Sequence, residues 1–391
     1  MNSLLNSQTE TRMIGANIEK KALKLGYMPL SDCLPLLVAQ KQGFFAEQGL
    51  DIELQQEVSW SNIRDKVIVG HLDGAHMLAP MVLASTIGLG GLRKPLVTAF
   101  SLGLNGNAFT VSNSLHKQLR KLNTAGFKHA STLKQLIEQR KADNLTPFVF
   151  ATVYPYSCHN LQLRDWLASA DIDPDKDIEL VILPPSQMVD HLKLQNIDGF
   201  FAGAPWNSVA ILQGIGHCLV TGTDIWKNAP EKVFAVTQEW AEKNPNTHHA
   251  LIRALHQACQ WLEESSADAI PLLEEHLSLS SPLIDQACLT PAITGEYIVV
   301  KNKEKVKAPG ILIFNRIMAN FPWLSHAQWI CSQMHRWGWI PENISQSDLI
   351  KQCYRPDIYR AALSDIKLPD DDYQENIISI PPNHQFIALY K

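Results

Sequence analysis

Short apolar runs alternate with longer helix-compatible stretches through the first two thirds of this sequence, and that alternation restricts the chain to α/β units with mainly parallel sheets. The runs Lys24–Met28, Asp51–Gln55, Gly74–Leu78 and Leu96–Leu102 read as strands. Helices are expected between them over Leu34–Gln42, Ser61–Val69 and Met81–Ile87. A second series of strands is expected at Ala108–Val111, Phe148–Val153, Glu179–Leu183, Gly199–Ala202, Cys218–Thr221 and Lys232–Thr237. From Gln238 onward amphipathic helical stretches such as Asn246–Ser265 dominate. The resulting division is a flexible lead-in over 1–21, a first lobe over 22–103 and a second over 104–239. A helical region over 240–391 is expected to fold back on the first lobe. With 391 residues, of which 46% are hydrophobic, two or three domains with a sizeable core are expected at about 100 to 200 residues each.

Charge and cysteine usage narrow the function class. Thirty-nine acidic residues against 34 basic ones give a formal charge of −5, which leaves no broad cationic face for phosphates, so direct nucleic-acid binding is not expected. The seven cysteines are scattered without a C-x-x-C pair, a pattern that suits a reducing compartment better than a disulfide framework. The stretch Met1–Glu19 has no cationic segment followed by an apolar core, so the expected location is cytoplasmic. The longest apolar run, Met77–Ile87, is too short for a membrane span and contains Pro80.

Motifs for catalysis and metal binding fail on context. Gly88, Gly90 and Gly91 lack G-x-G-x-x-G spacing and follow an expected helix, where a C-cap explains them. The aspartates from Asp171 to Asp177 imitate a calcium loop, but Pro174 interrupts it, Lys176 takes the glycine position and Ile182 takes the place of the bidentate glutamate. His71 and His76 are five apart, which misaligns them on a helix face. No G-x-S-x-G elbow, H-E-x-x-H or Walker loop occurs. Neither an enzyme, a cofactor nor a metal site is expected. Cys158 beside His159 is the one pair a catalytic reading could use, and a buried neutral thiol is the simpler account.

What remains is a set of unusual loop residues where a two-lobed α/β protein places its ligand, near the carboxyl ends of strands. These are Trp60, Asn105-Gly106-Asn107, His159, Pro185, Gly203-Ala204-Pro205-Trp206 and Pro230-Glu231-Lys232. A small planar oxyanion has weakly basic oxygens and one delocalised charge. It suits one ammonium, one or two neutral donors and a flat apolar wall. Lys232 can supply the charge, His159 and the amide of Asn107 the donors, and Trp60 with Pro185 the wall.

The segments KLGYMPLSDCLPLLVAQKQGFFAEQGLDIEL, SWSNIRDKVIVGHLDGAHMLAPM, NGNAFTVSN, IDGFFAGAPWNS and APEKVFAV, with the long run from Cys158 to Val189, resemble the nitrate- and bicarbonate-binding protein family of ABC importers over about residues 23–265. The resemblance implies a periplasmic-binding-protein type II fold, two α/β lobes closing on an anion. It places the family's contacting tryptophan at Trp60, histidine at His159, proline at Pro185 and lysine at Lys232. Transporter members usually carry glutamine where Asn107 stands and G-E-P-W where this chain has Gly203-Ala204-Pro205-Trp206. Both departures resemble the cytoplasmic branch of the family, the NasS-type nitrate and nitrite sensors. Such a sensor holds a NasT-type antiterminator, a response regulator that binds RNA, and releases it when the anion binds. The alternative is the solute-binding component of a nitrate, nitrite or bicarbonate ABC transporter.

Overall fold

The computed structural model describes residues 17–123, 126–277, 296–298, 305–307 and 312–373. Residues 1–16 of the expected lead-in, and Cys288, lie outside the described residues. The first sheet holds β1 (Ala22–Tyr27), β2 (Asp51–Gln56), β3 (Gly74–Leu78) and β4 (Leu96–Asn105). The second is built from β5 (Asn107–Ser112), β6 (Val149–Thr152), β7 (Glu179–Ile182), β8 (Gly199–Gly203) and β9 (Gly216–Thr221). β10 (Pro230–Thr237) returns to the first sheet. Of the later strands, β11 (Glu296–Ile298) and β12 (Lys305–Lys307) pair with each other, and β13 (Leu312–Ile313) joins β4.

The architecture is the expected one of two α/β lobes, with mixed rather than mainly parallel sheets. β1 pairs in parallel with β2 and β3, whereas β10 runs antiparallel between β3 and β4. In the second lobe β6 is parallel to β7 and β8, and β5 is antiparallel to β8 and β9. Two lobe assignments change with this topology. The run containing Lys232 belongs to the first lobe, because the chain crosses back near Ala229 and its apolar residues fill the slot between β3 and β4. The first crossing is tight. Asn105 takes a left-handed φ of 66° and Gly106 a φ of 99°, and the Asn105 side-chain oxygen accepts the Ala229 amide at 2.8 Å, tying the two crossings together.

The helical tail also departs from the expected arrangement, since it packs on both lobes. The helix Leu324–Arg336 lies against the helix Ala79–Ile87 of the first lobe and touches the helix Cys158–Ala168 of the second. Its last residue, Arg336, donates to Asp165 Oδ1 at 2.6 Å, and Trp226 Nε1 donates to the other oxygen of the same carboxylate at 2.8 Å. Trp329 meets Trp226 edge to face at 5.5 Å, Trp339 meets Tyr156 in the same way, and Arg164 lies over the rings of Trp337 and Trp339. The tail tryptophans therefore pack inward. On the first lobe, Arg64 spans the gap to donate to Tyr154 of the second at 2.5 Å.

Burial sets a pH limit on this fold. His248 and His326 are almost wholly enclosed, and burial, aided at His248 by the charges of His249 and Arg355, lowers both to about 3. In the unfolded chain they protonate near the usual value of about 6.5. Between these values the unfolded state binds more protons, so stability falls as pH drops from 6.5 towards 3, by up to about 1.4 kcal/mol per pH unit for each histidine. Urea unfolding should show a midpoint clearly lower at pH 5 than at pH 7. A midpoint that did not move would contradict the neutral burial of these rings.

Candidate functional site

The site forms where strand ends from both lobes converge. Asp32 follows β1 in a short 3-10 turn, and His76 lies in the middle of β3. Trp60 opens the helix Trp60–Ile68, whose first turn is fixed by the Ser59 hydroxyl accepting the Asn62 amide at 3.2 Å. From the second lobe, His159 stands in the first turn of the helix Cys158–Ala168, capped in the same way by Ser157 and Asn160. Asn107 begins β5 directly opposite Gly203 at the end of β8. Lys232 sits near the start of β10, in register with Leu78 and Gly103. Because β10 runs antiparallel, its first residues meet the carboxyl ends of its neighbours, where ligands gather in such sheets.

Lys232 is wholly buried and its ammonium is already paired. Nζ lies 2.8 Å from Asp32 Oδ2 and 2.7 Å from Glu231 Oε1. The Trp60 ring centroid is 5.6 Å away, and that ring meets His76 edge to face at 5.2 Å. Glu231 Oε2 accepts the Asn107 amide at 2.5 Å, and Asn107 also donates to Gln162 Oε1 at 3.1 Å. His159 Nδ1 is 3.3 Å from Glu231 Oε1, at an angle that does not make a hydrogen bond. His76 receives the Met28 amide on Nδ1 at 3.4 Å, which puts its proton on Nε2, 3.1 Å from Asp32 Oδ1 and again oblique.

These contacts set the charge states. Burial pushes Asp32 up, but the charge of Lys232 and the His76 ring outweigh it, and the carboxyl is held below its usual range. For Glu231 burial wins over Lys232 and Asn107, with Asp32 adding repulsion, so its pKa is raised. Burial alone would lower Lys232, yet the two carboxylates hold it above the ordinary lysine value. Burial and the Lys232 charge keep His159 neutral, and burial also lowers His76. Cys158 hydrogen-bonds to the Pro230 carbonyl at 2.9 Å, and burial beside Glu231 raises its thiol far above the reactive range.

Of the five residues expected at the site, Trp60, Asn107, His159 and Lys232 gather within this cluster. Pro185 is buried at the start of a 3-10 turn after β7, and none of the polar or ring contacts described for the cluster involves it. Two expectations change in detail. Lys232 is not an uncommitted charge, because a buried ammonium needs counter-charges close by. Asn107 does not offer its amide outward, because Glu231 and Gln162 take it. Sequence reasoning missed Asp32 and His76 and did not give Glu231 a role. The signal was a polar residue enclosed by apolar neighbours, as in MPLSDCLPLLVA and GAHMLAPMVLA, since such a residue stays buried only when paired.

The cluster also contains buried polar atoms without partners. His159 Nε2, Trp60 Nε1 and Ser31 Oγ are buried with no hydrogen-bond partner among the described residues. A Cβ built on Gly203 would lie 3.6 Å from each of Asn107 Oδ1, Asp32 Oδ2 and His159 Nε2, so this glycine brings the backbone to the middle of the cluster with room for no more than a methyl group. Among the described residues no group of three or more His, Cys, Asp or Glu side chains could hold a metal ion, and no helix is long and apolar enough to cross a membrane.

Two α/β lobes with a buried polar cluster between them form a two-lobed fold of the binding-protein type. Comparison with known proteins specifies which kind. Residues 16–273 match the NMT1-like family. The chain is 31% identical over 361 residues to the nitrate/nitrite binding protein NrtA of Nostoc sp., covering 90% of this chain and 79% of that one. It is 38% identical over 386 residues to the nitrate import ATP-binding protein NrtC of Synechocystis sp., covering 96% of this chain and 54% of that protein. It thus spans about half the length of the first curated relatives it matches. The crystal structure of the periplasmic nitrate-binding protein NrtA from Synechocystis superposes with a TM-score of 0.82 at 27% identity over 92% of each chain. The chain belongs to the NMT1-like family, within its NrtA-like nitrate-binding group of ABC substrate-binding proteins, which are binding proteins and not enzymes.

Substitution tests the ion cluster directly. Lys232→Met strands two buried carboxylates, and urea unfolding should record a loss of about 3 to 5 kcal/mol, the usual range for breaking a buried pair. Adding Asp32→Asn to that variant should recover part of the loss. No recovery would mean that Asp32 does not depend on the ammonium.

Proposed function

We propose that this chain is the anion-receiving component of a nitrate or nitrite import system, holding the anion between its lobes at Lys232. The observation that carries this reading is one buried cluster in which the ammonium of Lys232 pairs with Asp32 and lies 5.6 Å from the Trp60 ring, while His159 Nε2, near Gly203 and Asp32, has no partner among the described residues. Nitrate offers only weakly accepting oxygens, so it needs donors that are dry and already positioned; the Lys232 ammonium is one, the indole N–H of Trp60 is another, and His159 is a third in the tautomer that carries its proton on Nε2. Similarity to both NrtA and NrtC supports an import context. What the chain shares with an import ATP-binding protein is not a nucleotide site, since the sequence has no Walker loop.

Calorimetry with sodium nitrate should give a saturable one-site isotherm. His159→Phe, which removes both ring nitrogens and keeps the ring's bulk, should weaken binding at least tenfold. Unchanged affinity in that variant would move the site elsewhere. Gly203→Ala should also weaken binding, because its methyl group would stand in van der Waals contact with Asn107, Asp32 and His159.

The narrower reading, a cytoplasmic NasS-type sensor that sequesters a NasT-type antiterminator, uses the same receptor and differs in its outlet. Its support is the pair of sequence departures at Asn107 and Ala204. A pull-down in nitrate-free buffer decides between the two. Recovery of an RNA-binding regulator that nitrate abolishes favours sensing, and recovery of importer subunits favours transport.

A further inference from the structure

Taking the proposed anion site as its starting point, we infer that Glu231 is the group that admits the anion, by taking up one proton as the anion enters. The reason is charge. The buried cluster holds one ammonium against two carboxylates, with Lys232 Nζ 2.8 Å from Asp32 and 2.7 Å from Glu231. All three side chains are screened from solvent. A further negative charge in this cluster would leave Lys232 facing three anionic partners, and among the described residues the ion-pair contacts of Asp32 and Glu231 bring in no second cation, since His76 and His159 are neutral. Charge buried without compensation is strongly disfavoured, and the local remedy is for one group to change its protonation state.

The surroundings select which group does so. From the turn after β1, Asp32 holds the ammonium on one oxygen while His76 of β3 faces the other at 3.1 Å. It therefore stays ionised. Glu231 faces the same ammonium, the like charge of Asp32, the neutral ring of His159 at 3.3 Å and the neutral thiol of Cys158, both on the helix Cys158–Ala168. Its other oxygen is held by Asn107 of β5, which a carboxyl group can keep as a hydrogen-bond acceptor. A proton from solvent on Oε1 turns the atom that competes for Lys232 into an O–H donor. The ammonium is released towards the incoming oxyanion, and the cluster keeps the net charge it had before. No bond other than O–H forms. Burial, which already raises Glu231, acts in the same direction.

Nitrate is the right probe, because its conjugate acid is strong and any proton taken up belongs to the protein. Nitrate titrations of the full chain by calorimetry, in two buffers of different ionisation enthalpy and at several pH values from 6.5 to 8.5, give both affinity and proton uptake. Above the pH at which Glu231 loses its proton in the anion-free protein, affinity should fall towards tenfold per pH unit, with uptake approaching one proton per nitrate. Glu231→Gln, the isosteric neutral form, should abolish the uptake, flatten the pH profile and bind more tightly than the parent at pH 8.5. Nitrate binding with no uptake and a flat profile in the unaltered protein overturns the inference and leaves the proposed function standing. Uptake that persists in Glu231→Gln overturns the assignment to Glu231 and points to His159 or His76. Absence of nitrate binding at every pH overturns the proposed function and this inference together.

Discussion

The wholly buried ammonium of Lys232 is the constraint around which this site is arranged. A lysine at that depth survives only with counter-charges in contact, and two are provided from different places in the chain, Asp32 after β1 and Glu231 beside it on β10. Each counter-charge then needs its own support. His76 stands over Asp32, and Asn107 crosses from the second lobe to hold Glu231. The polar network therefore belongs to neither lobe alone. It closes the interlobe space as much as it furnishes a site, and the two roles are inseparable because the same hydrogen bonds perform both.

The route of the chain explains how such a cluster can be assembled. β10 leaves the second lobe and enters the first between β3 and β4, antiparallel to both, which carries its opening residues to the ends where loops are free to carry function. A parallel strand in that slot would have brought Lys232 to the opposite edge of the sheet. The left-handed turn at Asn105 and Gly106, bonded to Ala229, fixes the two crossings against each other, and with them the register that aligns Asn107 with Gly203.

Much of this was legible in the sequence because it depends on local pattern. Strand and helix runs of the first lobe fall within a few residues of their expected bounds, and Gly74–Leu78 coincides with its strand. Trp60, Asn107, His159 and Lys232 were marked by residue type in expected loops or at strand starts. The missed features depend on pairing across long separations. Nothing local tells a strand such as KVFAVT that its neighbours will be antiparallel or that it will rejoin the first lobe. Nor does it tell Asp32 that its partner lies two hundred positions further on. An isolated acid amid apolar residues signals that a partner exists without saying which one. The placement of Trp339 and Trp329 against Tyr156 and Trp226 of the second lobe likewise depends on the folded chain.

That placement bears on how the molecule can move. A two-lobed receptor joined only by crossing strands swings like a book on its spine. Here the helix Leu324–Arg336 is seated on one cover and fastened to the other by Arg336 and the surrounding aromatic rings. Wide gaping would have to tear that fastening, so the motion most compatible with it is a slight slide of one packed face over another. How far the two lobes can part then depends as much on a helix far along the chain as on the side chains that meet between them.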